Sequence, residues 1–142
     1  MSDGPRQVLV VCTGNSCRSI MGEALINALG AGRFHARSAG SRPAGYVHPK
    51  ALATLELHGI AVDSPRSQSW DDYAGDTFDF VITVCDSAAG EPCPAFGGAA
   101  RKLHWSTPDP AAVSGGDAEI DAAFEAAFAG LRQRVQRFVD AA

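Results

Sequence analysis

Gln7-Val8-Leu9-Val10-Val11 runs directly into Cys12-Thr13-Gly14-Asn15-Ser16-Cys17-Arg18-Ser19, and this junction decides the fold. The first five residues are apolar and largely β-branched, the pattern of a strand buried in a parallel sheet. Beyond the loop, Met21, Ala24, Leu25, Ala28 and Leu29 recur at helical spacing. A cysteine therefore stands at the carboxyl end of a strand, and an arginine six positions later opens a helix. The residues between them are small or polar and can turn their backbone N–H groups inward. Such a loop at a helix N-terminus cradles anions, and the helix dipole adds to the attraction. The same surroundings push a thiol toward thiolate. The pattern predicts a nucleophile, Cys12, beneath a tetrahedral oxyanion held by Thr13, Gly14, Asn15, Ser16, Cys17, Arg18 and Ser19. Arg18 can grip two oxygens bidentately, which a lysine cannot do. Ser19 is placed to donate its hydroxyl to the Cys12 sulfur. Asn15 suits left-handed backbone geometry and can tie the loop to its neighbours. The Cys17 side chain reads as a small structural group tucked against the fold.

Working outward, 142 residues with 46% hydrophobic and 20% charged content predict one soluble globular domain spanning 1–142. The net charge of −4, without a block of Lys or Arg, argues against nucleic acid and against an anionic membrane surface as partners. No apolar run reaches transmembrane length, and residues 1–7 lack the apolar stretch of a signal peptide, so a cytoplasmic location is expected. In a reducing compartment the four cysteines read as chemical rather than structural.

Strand and helix patterns alternate along the chain. A second strand is expected over 33–39, ending in the turn Gly40-Ser41-Arg42-Pro43. Pro49 opens a helix that runs to about 58, with Gly59 closing it. A loop over 62–69 leads to a short helical turn over 70–73. Residues 78–84 form the clearest strand after the first, and 101–105 a short fourth one. Ile120, Phe124, Phe128, Leu131, Val135 and Phe138 or Val139 make one apolar stripe, so 117–141 is a long amphipathic helix. The alternation predicts an α/β fold, a four-stranded parallel sheet flanked by helices, with ligands bound at the carboxyl ends of the strands.

Cys12 lies at such an end, and so does Cys85, which follows Val81-Ile82-Thr83-Val84. Cys93 comes eight residues later on a loop of small residues. Two cysteines there, near a third that is activated, suggest a thiol relay, since disulfides pass by thiolate attack on sulfur. Cys85 reads equally well as a buried hydrophobe. A zinc site is disfavoured, for the cysteine spacings are wrong and no histidine pair is suitably placed. Asp109, before Pro110, lies at another carboxyl edge, where it can protonate a departing oxygen or simply form a turn. His104 and Trp105 read as packing residues, and His35, His48 and His58 belong to no catalytic constellation.

Together these features resemble the low-molecular-weight tyrosine phosphatase superfamily and, within it, the thioredoxin-coupled arsenate reductases. The resemblance spans nearly the whole chain. It rests on Val11-Cys12-Thr13-Gly14-Asn15-Ser16-Cys17-Arg18-Ser19, Ser38-Ala39-Gly40, Pro49-Lys50-Ala51, Val84-Cys85-Asp86, Cys93-Pro94, and His104-Trp105 leading to Pro108-Asp109-Pro110-Ala111. It implies a flavodoxin-like topology. Phosphatases of this fold carry an aromatic wall after the Asp-Pro pair, where Ala111 and Ala112 stand here, and they have no need of Cys85 and Cys93. Both departures favour the reductase, with a tyrosine phosphatase or small phosphomonoesterase as the alternative and a non-catalytic oxyanion-binding module as a third reading. The resemblance implies that Cys12 attacks arsenate held by the loop and Arg18 while Asp109 protonates the leaving oxygen. Cys85 then attacks Cys12 as arsenite leaves, and Cys93 takes over the disulfide for reduction by thioredoxin, or by glutaredoxin with glutathione. No cofactor is implied. Some relatives bind a potassium ion through groups matching Asn15, Glu23 and Ser38, with a carboxylate from the segment near Gln68, and others carry a lysine there. Gln68 is neither, so no metal is expected.

Overall fold

Strand β1 (Arg6–Cys12) is buried without a break from Val8 to Cys12, as a strand is only when both of its faces are covered. The computed structural model describes residues 4–62, 65–85 and 100–141. In it β1 pairs with β2 (Phe34–Gly40) on one side and β3 (Phe80–Thr83) on the other, and β4 (Arg101–His104) lies beyond β3. Every pairing is parallel, and the order is β2-β1-β3-β4, a four-stranded sheet as the sequence predicts. The chain leaves β1 for one edge and later returns to its other side. That reversal opens a crevice between the carboxyl ends of β1 and β3, where ligands bind in open parallel sheets. Val11 pairs with Thr83, so Cys12 and Cys85 emerge together at this crevice.

Helix α1 (Arg18–Leu29) carries the crossover from β1 to β2, and its Ile20, Met21, Ala24, Leu25 and Ile26 are buried. Helix α2 (Pro49–Leu57) begins with proline at its first turn, and the His48 side chain caps it by accepting from the Lys50 N–H. A 3₁₀ turn (Trp70–Tyr73) precedes β3. Helix α3 (Asp117–Ala141) packs on α1 and α2. It buries Phe124, Phe128, Leu131, Val135 and Val139 of the predicted stripe, and Ile120 and Phe138 pack at its margin. Each large side chain so buried contributes about 1.5–3 kcal/mol. Phe138 closes one end of the core against Phe34 and Phe80, both with centroids at 4.9 Å, and Trp105 at 5.7 Å. Among the described residues no helix is long and apolar enough to cross a membrane.

The third strand is shorter than the 78–84 expected. Before it the Asp79 N–H still bonds the Gln7 carbonyl at 2.8 Å, and the Asp79 carboxylate accepts the Gln7 N–H at 2.7 Å. Phe78 packs into the core beneath the Arg37 guanidinium, 4.6 Å from its ring centroid. Past Gly40 the chain does more than turn. Residues 41–48 run along the outside of the loop after β1 and bond to it.

Gly40 is where these two segments come closest. A Cβ at this position would stand 2.5 Å from the Thr13 carbonyl oxygen and 3.0 Å from Asn15 Cβ. Gly40→Ala should therefore destabilise the protein by about 1–3 kcal/mol, the usual cost of overpacking. Urea unfolding checks this, and an unchanged midpoint would mean the loop yields freely at that point.

Candidate active site

The loop between Cys12 and Arg18 is shaped from outside. Its carbonyl oxygens at Cys12, Thr13, Gly14 and Ser16 accept the N–H groups of Ser41, Arg42, Ala44 and His48, at 2.8–3.3 Å. The Ser67 hydroxyl donates a second bond to the Gly14 carbonyl at 3.0 Å. Because a trans peptide is planar, a carbonyl held outward turns the next N–H to the opposite side. The N–H groups of Gly14, Asn15 and Cys17 are turned away from these outer partners in this way, and that of Thr13 donates to the Cys85 sulfur. Asn15 sits at φ 48°, the left-handed geometry expected of it, and its side chain is fully buried. That side chain donates to Ser19 Oγ at 2.8 Å and Ser38 Oγ at 3.0 Å, and its oxygen accepts the Gln68 N–H at 2.8 Å. Ser38 in turn donates to the Glu23 carboxylate, whose pKa is raised by burial and lowered in part by that bond. Ser19 thus serves as a partner of Asn15.

Arg18 opens α1 with its guanidinium largely buried. One terminal nitrogen donates to the Thr107 carbonyl at 2.9 Å, and the other lies 3.6 Å from Asp109. Its Nε is buried with no partner among the described residues. A buried donor of this kind is costly unless something accepts from it, and an oxyanion in the loop would do so. Asp109 reaches the site as sequence reasoning expects. It also forms the turn that was the alternative, capping the 3₁₀ turn Pro110–Ala112 by accepting the Ala111 N–H at 3.0 Å. Its carboxylate is about two-fifths exposed. Cys17 is buried as expected, and its sulfur stands 3.8 Å from Asp109 Oδ1. Burial and the nearby Asp109 carboxylate push the Cys17 thiol up.

Cys85 packs as the buried hydrophobe of its second reading. Its sulfur is held by the residue next to Cys12: the Thr13 N–H donates to Cys85 Sγ at 3.1 Å, and Thr13 Oγ1 lies at 3.2 Å. Hydrogen bonding with the Cys85 side chain, together with burial, raises the Cys12 pKa well above the ordinary thiol value, while Arg18 pulls it down. The sequence predicts a thiol pushed toward thiolate. The difference is Cys85, a neighbour that no local pattern around Cys12 reveals. Cys93 lies outside the described residues.

The imidazole rings have partners away from the loop, although the His48 backbone N–H bonds the Ser16 carbonyl. His48 caps α2, His58 pairs with Glu125 at 2.9 Å and stacks on Phe128 at 4.2 Å, His35 contacts Gln7, and His104 contacts Thr83. Among the described residues no cluster of His, Cys, Asp or Glu is arranged to hold a metal. Sequence reasoning missed Thr107, Ser67 and the binding role of Gln68. All three act from irregular segments whose sequence carries no periodicity.

Fold and loop together define an α/β protein that can hold a tetrahedral oxyanion beside a thiol. Residues 7–142 match the family described as "Low molecular weight phosphotyrosine protein phosphatase", and the chain belongs to it. It is 32% identical over 133 residues to an "Arsenate reductase" of Halalkalibacterium halodurans, covering 94% of each chain. It is 36% identical over 87 residues to a "Glutaredoxin arsenate reductase" of Synechocystis, covering 61% of this chain and 66% of that one. A solved structure of "An arsenate reductase in the phosphate binding state" superposes with a TM-score of 0.76 at 28% identity, covering 96% of this chain and 98% of the other.

Since the bond to Cys85 is the largest influence raising the Cys12 thiol, Cys85→Ala should lower its pKa. The pH profile of Cys12 alkylation by iodoacetamide, followed by peptide mass spectrometry, should shift to lower pH in the variant. An unshifted profile would show that burial alone sets the value.

Proposed function

We propose that this protein reduces arsenate to arsenite by passing a disulfide through its thiols. The observation that carries this reading is the Cys85 sulfur seated against Thr13, the residue next to Cys12. A phosphatase needs one thiol at the loop, whereas reduction needs a second able to attack the first. The family membership and the reductase relatives support the same reading. Ala111 and Ala112 are exposed after Pro110 and supply no aromatic wall for a phenyl ring.

In the proposed sequence the loop N–H groups and Arg18 bind the oxyanion, with Arg18 Nε as one donor. The Cys12 thiolate attacks arsenic(V), and one oxygen leaves as water after Asp109 supplies a proton. The product is a Cys12–arsenic(V) adduct. Cys85, deprotonated, then attacks the Cys12 sulfur. The sulfur–arsenic bond breaks, and its electron pair stays on arsenic, which becomes arsenic(III) and departs as arsenite. The two sulfurs have lost those two electrons and are joined as a disulfide. Cys93 attacks Cys85, releasing Cys12 as a thiol and leaving a Cys85–Cys93 disulfide. A dithiol of the thioredoxin type, or glutaredoxin with glutathione, returns both to thiols. All electrons come from thiols, so the cycle needs no further cofactor, and it suits the reducing cytoplasm.

Arsenate-dependent NADPH consumption should be measured with thioredoxin and its reductase, and again with glutaredoxin and glutathione. The wild type should turn over with at least one system. Cys12→Ser should lose both reduction and any aryl phosphate hydrolysis by about 10⁴-fold or more, since the nucleophile is removed. Cys85→Ser should lose reduction yet keep slow hydrolysis, which requires only Cys12, Arg18 and Asp109. Sustained reductant-driven turnover in Cys85→Ser would contradict the relay, and hydrolysis far faster than reduction in the wild type would contradict the reductase.

A further inference from the structure

Asn15 fixes the loop, and what fixes Asn15 leads to Gln68. The Gln68 backbone N–H donates to Asn15 Oδ1 at 2.8 Å. Its side-chain nitrogen donates to the Ser38 carbonyl at 3.0 Å and contacts the Tyr73 hydroxyl at 2.6 Å. Ser38 Oγ accepts from Asn15 and donates to Glu23. These are the groups through which the family resemblance implies a potassium ion, and they do not fit one here. A hard cation needs oxygens free to converge on it. The Ser38 carbonyl instead faces an amide nitrogen, and Asn15 Oδ1 already accepts an N–H.

The orientation of the Gln68 amide follows from chemistry. A carbonyl can only accept, so the atom set against the Ser38 oxygen must be the NH₂ group. Turned over, the amide would place two acceptors face to face. Charge points the same way. Arg37 and Arg66 line the same cavity as Glu23, Gln68 and Tyr73, so two guanidinium groups share it with the Glu23 carboxylate. A further cation would enter against their repulsion.

We propose that Gln68 is a positioning residue that closes this network with its own amide in place of a bound cation, making oxyanion binding by this protein independent of potassium. The inference rests on the oxyanion-loop reading and is indifferent to whether arsenate is reduced. Phosphate is therefore the probe, with its dissociation constant measured by calorimetry. The full-length wild type should bind it equally in potassium, sodium and tetramethylammonium chloride at one ionic strength, with an unchanged melting temperature. Gln68→Ala should weaken binding about fivefold in tetramethylammonium chloride, the loss corresponding to about 1 kcal/mol from orphaned buried acceptors. Tighter phosphate binding by the wild type in potassium than in tetramethylammonium would overturn the proposal, as would unchanged affinity in Gln68→Ala. If phosphate failed to bind in any salt, the oxyanion-loop reading itself would fall. The wild-type comparison needs no variant to fold.

Discussion

The buried side chain of Asn15 is the constraint on which the rest of the site depends. A left-handed residue in mid-loop is unfavourable for most side chains, and asparagine tolerates it best after glycine. At φ 48° the chain reverses between β1 and α1, and that reversal turns successive N–H groups to one side. Three buried hydrogen bonds hold the residue there, to Ser19, Ser38 and the Gln68 backbone. Each is worth about 1 kcal/mol net, but an orphaned buried partner costs about 1–3 kcal/mol. The network is thus worth more for what its loss would expose than for what its bonds add. Gly40 completes the constraint by letting β2 pass close to the Thr13 carbonyl.

Once the loop is set, the sheet order supplies the second thiol. Parallel pairing of β1 with β3, in the register Val11 to Thr83, delivers Cys12 and Cys85 to one crevice. Thr13 mediates between them, following one cysteine in sequence and bonding the other in space. The arrangement places two functions in tension. A nucleophile for an oxyanion is best ionised, yet Cys85 and burial push the Cys12 thiol up while Arg18 pulls it down. In the proposed reaction the tension is useful, because the two thiols that influence each other are the two that must become bonded.

Much of this was legible in the sequence because it is local. The strand, loop and helix from Gln7 to Leu29 announce themselves through β-branching, small polar residues and helical spacing, and the structure forms them within a residue or so. The α3 stripe was readable for the same reason, as a single periodicity over a long segment. Cys12, Arg18 and Asp109 were identifiable because each stands at the carboxyl edge of a predicted strand or opens a helix. What the sequence did not disclose is lateral. The carbonyl of Thr107 that holds Arg18, the Ser67 hydroxyl and the Gln68 amide reach the loop from segments without periodic pattern. The pKa of Cys12 depends on a sulfur 73 positions away in the chain, a distance over which local spacing carries no information.

Cys12 and Cys85 are proposed to act in succession on the same oxyanion. This is tested most directly by treating Cys93→Ser, fully reduced, with one equivalent of arsenate and no external thiol. One arsenite per protein molecule and a Cys12–Cys85 disulfide should appear, with Cys17 still free in the peptide map. Arsenite release without that bond, or the bond's absence after arsenate is consumed, would contradict it.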